Sequence, residues 1–162
     1  MTDQTLIDFL RESNAIEGVY DDVSLQDALK AWKYLIKHDR LTPTIVKTTH
    51  RLLMVLQPIP RGLKGAYRDC EIEIGGRMGL TYPLVPLRVK EWCIQMNTSW
   101  VANKANNDQD IIRDHITYER IHPFIDGNGR TGRMFYNWQR IQCGLPIHVI
   151  WEKEKQFYYR WF

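Results

Sequence analysis

The chain has little that would mark it for export, a membrane or a nucleic acid. Its cysteines are only three, Cys70, Cys93 and Cys143, an odd number with no close pair spacing. That pattern argues for reduced thiols rather than a disulfide framework or a zinc site. No apolar run approaches the ~20 residues that cross a bilayer, so no spanning helix is expected. The N-terminal MTDQTLIDFLRESN carries acids and has no basic region leading into an apolar run, which excludes a secretory signal of the usual form. The net charge of +3 is small, and no basic stripe concentrates it, which argues against nucleic acid as a partner. Internal repeats and low-complexity runs are also missing. The expectation is a soluble, cytoplasmic protein.

What is present suits a single globular unit. At 162 residues the chain can bury a proper core. Leu6, Phe9, Leu10 and Ile16 recur at helical spacing over 5–16, and Gly18 suits a stop. Ser24 is a candidate cap for a second helix bearing Leu25, Ala28, Leu29, Trp32, Leu35 and Ile36. Thr42 before Pro43 reads as cap and first-turn proline of a third helix, reaching to about Leu56. Prolines and glycines then punctuate 57–86 as loops, but Cys70-Glu71-Ile72-Glu73-Ile74 alternates and meets Gly75-Gly76, a hairpin signal. Helical patterning resumes over 86–103. After a polar break at Asn106-Asn107-Asp108 it continues down to His122, restarts at Asn128 or Gly129 as far as Cys143, and ends in a short helix over 152–162. The fold class expected is all-α, mainly helical, with one small β-hairpin. Trp100, Trp138, Trp151 and Trp161 could serve a core or an interface, with the core as the default.

Between the last two long helices lies His122-Pro123-Phe124-Ile125-Asp126-Gly127-Asn128-Gly129-Arg130-Thr131-Gly132-Arg133. Pro123 disfavours helical geometry at His122, so the preceding helix should end there with its imidazole facing whatever the loop encloses. Histidine is the side chain best suited to taking a hydroxyl proton near neutral pH. Gly127-Asn128-Gly129 frees the backbone to converge N–H groups on an anion, at the start of a helix whose dipole favours the same charge. Asp126 offers a hard oxygen for Mg²⁺. Arg130 and Arg133, three apart, share a helix face and match phosphate oxygens. Phe124 reads as a packing anchor.

Read as H-x-F-x-D-G-N-G-R-x-x-R, with eight positions specified, this segment resembles the signature of the Fic (Fic/Doc) family of nucleotidyltransferases. The resemblance implies a helical fold in which the motif loop joins two central helices. It also implies roles: His122 as catalytic base, Asp126 on Mg²⁺, Gly127, Asn128 and Gly129 as the anion hole, Arg130 and Arg133 on the β- and γ-phosphates, and Asn137 beside the nucleotide. AMP would pass from ATP to a Ser, Thr or Tyr hydroxyl of a target protein. Gly65-Ala66-Tyr67-Arg68 is similar to the G-x-Y-R preceding the family's flap, which places Cys70–Ile74 where that flap pairs with a target segment. Tyr158 and Tyr159 also sit where members have similar residues.

Ser13-Asn14-Ala15-Ile16-Glu17-Gly18 resembles the family's inhibitory motif, [S/T]-x-x-x-E-[G/N], whose glutamate would pair with Arg133. Residues 1–20 would then be an inhibitory helix ahead of a Fic domain at 21–162, and self-association could stabilise that helix. Many members continue past the position of Tyr159 with adenine-contacting residues. Removal of AMP, and UMP or phosphocholine transfer, remain open on the same site. Phosphoryl transfer resembles instead the H-x-F-x-[D/N]-A-N-K-R branch, which Gly127 and Gly129 disfavour. A silent nucleotide-binding module is the alternative of another class.

Overall fold

A computed structural model describes residues 3–102 and 108–162, with nothing stated of the side chains at 3 and 99–102. Among the described residues are seven α-helices and one two-stranded hairpin: α1 (Asp3–Ile16), α2 (Asp22–Leu35), α3 (Pro43–Leu53), β1 (Glu73–Ile74), β2 (Arg77–Met78), α4 (Val85–Ala102), α5 (Asp108–Ile121), α6 (Asn128–Gln142) and α7 (Lys155–Tyr159). The expected mainly helical class is what forms. The polar break at Asn106-Asn107 lies outside the described residues. No helix among them is long and apolar enough to cross a membrane.

Helix α6 is the axle. Apart from Gly129, every residue from Asn128 to Arg140 is buried, and α5, α4, α3 and α1 all touch it. A helix apolar on only one face would leave its polar side chains in water; here they are turned inward and must find partners. Around it, Phe9 meets Trp32 edge-on at 5.4 Å, and Trp92 packs on both Tyr118 and Phe135. The indole of Trp138, fully buried, donates to the His38 carbonyl at 2.8 Å. Of the other tryptophans, Trp151 is half-exposed, Trp161 is packed against a smaller cluster, and the Trp100 side chain lies outside the described residues.

Local signals account for most of the boundaries. Thr42 caps α3, its hydroxyl accepting from the Ile45 N–H at 3.2 Å, with Pro43 in the first turn. The cap of α2 is Asp21 rather than the expected Ser24. The Asp21 carboxylate accepts from both the N–H and the hydroxyl of Ser24, at 2.7 and 2.8 Å. A carboxylate three residues upstream makes a stronger cap than a hydroxyl that Gln57 also uses, at 3.0 Å. Because α2 stops at Leu35, Ile36 turns to solvent. The hairpin is shorter than the alternation suggested: its strands pair Glu73 with Met78 and Ile74 with Arg77, and beyond them the Gly79 N–H donates to the Ile72 carbonyl at 2.9 Å. Gly75 and Gly76, at φ +55° and +80°, make the two-residue turn that needs positive φ twice.

The two ends of the chain meet. Ile16 packs with Ile150, Tyr158 and Trp161, the Glu12 carboxylate accepts from the Glu152 N–H at 2.7 Å, and the Tyr20 hydroxyl donates to Glu152 at 2.6 Å. Phe9 and Leu10 meanwhile sit in the main core. Helix α1 is thus packed into the same body as the rest. All three cysteines are free thiols. Removing the α3 cap with Thr42→Ala should lower the unfolding free energy by about 1 kcal/mol, read as a shift of the urea midpoint without a change in slope.

Candidate active site

His122 lies one residue past α5, with φ +48°, the one non-glycine in the left-handed region among the described residues. Its Nδ1 is 3.2 Å from the Glu119 carbonyl. A carbonyl can only accept, so Nδ1 carries the proton and Nε2 is left with its lone pair. Burial lowers the imidazole pKa, and the nearby Arg68 cation lowers it further. A neutral ring with a free Nε2 is the form a general base needs.

The loop that follows is held from beneath. Phe124, fully buried, stacks on the His50 ring at 3.7 Å and 6°. His50 accepts at Nδ1 from the Gly65 N–H, at 2.8 Å, which leaves Nε2–H to donate to the Asp126 carbonyl at 2.9 Å. Its ring is kept neutral by burial, with the pKa pushed down to about 4. The Asn128 amide spans Phe124, accepting from its N–H at 2.9 Å and donating to its carbonyl at 2.8 Å. Asn128 therefore serves the loop through its side chain, and only its backbone is free to face an anion.

Gly127 enters α6 in the left-handed region at φ +79°, and no side chain caps the helix it starts. The first-turn N–H groups are therefore not spent on a cap. A Cβ on Gly127 would stand 2.6 Å from the Met54 sulfur, and one on Gly129 would collide with the Glu17 carboxylate. Arg130 is buried, with Nε and Nη1 lacking any partner among the described residues. Among the described residues, the carboxylate within ion-pair distance of it is that of Asp126, at 3.8 Å and half-exposed. Such donors are expensive to leave unpaired, which makes them ready for an anionic ligand.

Arg133, 1% exposed, is engaged from the far N-terminus. Its Nε donates to the Ser13 hydroxyl at 2.9 Å, and Nη2 donates to the Ser13 carbonyl at 2.8 Å and to the Glu17 carboxylate at 2.7 Å. The Tyr158 ring covers it at 5.6 Å. A second carboxylate, Glu119, shares this neighbourhood, with Oε1 unpartnered and 4.0 Å from His115 Nε2. Burial pushes its pKa up to about 7, against the pull of Arg133. His115, bonded through Nε2 to the Tyr158 hydroxyl at 2.8 Å, is pushed down to about 3 by burial and by Arg133.

A cavity of about 800 Å³ gathers Glu17, Glu119, His122, Gly129 and Arg133, with Ile74 of the hairpin on its rim. Of the segment expected to pair with a target, Ile74 alone lines it. Cys70, Glu71, Ile72 and Glu73 do not, and Glu71 accepts instead from the Thr81 hydroxyl at 2.7 Å. Asn137, grouped with the nucleotide ligands in the sequence, has both ends of its amide on the His148 backbone, at 2.8 and 3.1 Å, and does not line the cavity. His50 and Glu119 were missed. The signal for His50 was its place on the buried stripe of α3 with Val46 and Leu53. Glu119 carried none.

The Fic/DOC family model matches residues 40–139, more than half of the chain, which belongs to that family. Helix α1 with Ser13, and Glu17 just past its end, lie outside the match. The chain is 29% identical over 130 residues to the protein adenylyltransferase Fic of Aedes aegypti, and 27% over 121 residues to that of Drosophila grimshawi. These alignments cover 76% and 71% of this chain but 24% and 23% of the relatives, so the chain spans a small part of their length. Among solved structures, a Fic-domain-containing signaling protein from Bacteroides thetaiotaomicron superposes with a TM-score of 0.83 at 18% identity, covering 98% of this chain and 70% of that one. Fic-1 of C. elegans gives 0.79 at 17%, covering 99% and 55%. At such identities the likeness is one of fold.

Gly127→Ala should lower stability by about 1–2 kcal/mol from the left-handed backbone alone, before the Met54 contact is counted, as denaturant unfolding would reveal. The buried groups also set a pH dependence. His50 and His115 stay neutral in the fold but protonate near 6.5 when unfolded, so stability falls as pH drops from 6.5 towards about 4. Glu119 acts oppositely: its raised pKa costs stability as pH rises from 4.5 to about 7, a cost relieved on acidification. Glu119→Gln should therefore make the acid loss steeper, measured as melting temperature across pH 4–7.

Proposed function

We propose that this chain transfers AMP from ATP to a hydroxyl of a target protein, and that Glu17 restrains the reaction. The observation that carries the reading is the convergence on one cavity of His122, unprotonated at Nε2, with Gly129 and Arg133. The names of the Aedes and Drosophila relatives agree with it.

In this reading His122 Nε2 takes the proton of a Ser, Thr or Tyr hydroxyl. The oxygen attacks the α-phosphorus, the bond to the bridging oxygen breaks, and pyrophosphate leaves. First-turn N–H groups of α6 receive negative charge on the phosphates, and Arg130 brings buried donors that have no other partner. Asp126 is the carboxylate that would hold Mg²⁺. A metal shared with phosphates needs only one or two carboxylates, and no cluster of three His, Cys, Asp or Glu side chains forms a cage among the described residues. When bound, Mg²⁺ neutralises charge building on the phosphate oxygens. Arg133 would take the γ-phosphate, but its Nη2 is already given to Glu17. One guanidinium edge cannot serve a carboxylate and a phosphate at once. The hairpin rim at Ile74 is where a target segment would lie.

Purified protein should label itself or a target weakly from ATP labelled at the α-phosphate. A charged hydrogen bond contributes about 1.5–3 kcal/mol, so Glu17→Gly should raise labelling roughly 10- to 100-fold, and adding His122→Ala should abolish it. No rise in the Glu17 variant would sink the inhibitory role. Label arriving from the γ-phosphate would make the chemistry phosphoryl transfer. Nucleotide binding without transfer to any protein in a broad panel would leave a binding module.

A further inference from the structure

Arg68 is 3% exposed and spends its whole guanidinium on backbone carbonyls. Nε donates to His122 at 2.8 Å and Nη1 to Cys70 at 2.9 Å, while Nη2 donates to Leu80 at 2.5 Å and to Ile121 at 3.3 Å. Its own N–H reaches the Pro123 carbonyl at 2.9 Å. Among the described residues no carboxylate lies within ion-pair distance of it. The acceptors fall into two pairs. Cys70 and Leu80 are the two roots of the hairpin, one on each side. Ile121 ends α5, at the negative pole of that helix, and His122 follows it directly, so no further turn satisfies either carbonyl.

We propose that Arg68 is a positioning residue that joins the hairpin to the catalytic histidine, so that target-holding segment and base are held as one piece. The inference rests on the AMP-transfer reading for what the hairpin holds. His122 occupies a left-handed conformation that an L-residue keeps only when its surroundings over-determine it. Arg68 supplies that constraint by gripping the carbonyl of His122 and, through its own N–H, that of Pro123. The planar fork fixes the directions of all four side-chain bonds at once, which a lysine ammonium cannot do. A hairpin drawn out of place would pull on the same guanidinium that sets the imidazole. The cation also disfavours protonation of His122, alongside burial. Glu17 from the turn after α1 and Asp126 from the motif loop act the other way, and the Glu119 carbonyl holds Nδ1.

A purely architectural arginine would affect stability alone. The test compares R68M and R68K in the full chain, by NMR titration of the His122 imidazole (assigned by its loss in H122A) and by hydrogen exchange of the amides of β1 and β2. Both substitutions are also placed in the Glu17→Gly background for turnover and nucleotide affinity. In R68M the imidazole should titrate at higher pH and the hairpin amides should exchange faster. Turnover should fall about 100-fold, the scale of a small misplacement of a reacting group, with nucleotide affinity within twofold. R68K keeps the charge but not the fork: its titration should stay near that of the parent while turnover is lost and the hairpin loosens. It also carries the test should R68M unfold. Unchanged titration and exchange in R68M would overturn the proposal. So would a loss of turnover matched by an equal loss of nucleotide affinity. If the Glu17→Gly parent transfers no AMP, the functional reading fails, while titration and exchange still decide the role of Arg68.

Discussion

The buried guanidinium of Arg133 is the constraint on which the rest of the site depends. A cation that is 1% exposed on the central helix must be given partners or the helix cannot be central. The partners come from opposite ends of the chain: Ser13 from α1 and Glu17 just past its end, the ring of Tyr158 from α7, and the charge of Glu119 from α5. Each has consequences of its own. Tyr158 draws in His115, which stays neutral, and joins the small cluster that binds α1 to the C-terminal segment. Glu119, too deep to ionise freely, is held between its burial and the attraction of Arg133.

The motif loop shows the complementary solution, in which side chains hold backbone. His50, Asn128 and Arg68 all direct their side chains at peptide groups of 121–128 rather than at one another. Backbone fixed at several points is what lets His122 and Gly127 keep positive φ on either side of a proline. Preorganisation of this kind lets N–H groups meet developing charge without rearranging.

Much of this was legible in the sequence because the chemistry is local. The dense segment 122–133 specifies its loop through Pro123 and its glycines, and Thr42-Pro43 announces α3. Gly75-Gly76 announces the hairpin turn. Where signals competed locally, the reading slipped: Asp21 outranked Ser24 as cap, and alternation over 70–74 became only a two-residue strand, with the carbonyls of Cys70 and Leu80 at its roots bonded to Arg68 instead of to each other's arm. Asn137, expected beside the nucleotide, gives its amide to the His148 backbone. What stayed hidden depends on chain separated by long intervals. His50 meets a carbonyl 76 residues away, and the value of Glu119 comes from Arg133 on the helix that follows it and from Glu17 near the other end of the chain. Periodicity marks such residues as buried without saying which polar atom they will meet.

Gly129 has a consequence beyond its conformational freedom. The space where its Cβ would stand holds the Glu17 carboxylate, so the proposed floor for phosphate and the seat of the glutamate would be one volume. On the proposed reading, Glu17 is a tethered ligand competing with a free one. Its effective concentration is set by how firmly α1 is docked, not by the strength of a single ion pair. A modest loosening of α1, at Tyr20 or Glu12 for instance, would then act like a dilution of that ligand, shifting occupancy in proportion while leaving every catalytic atom where it was.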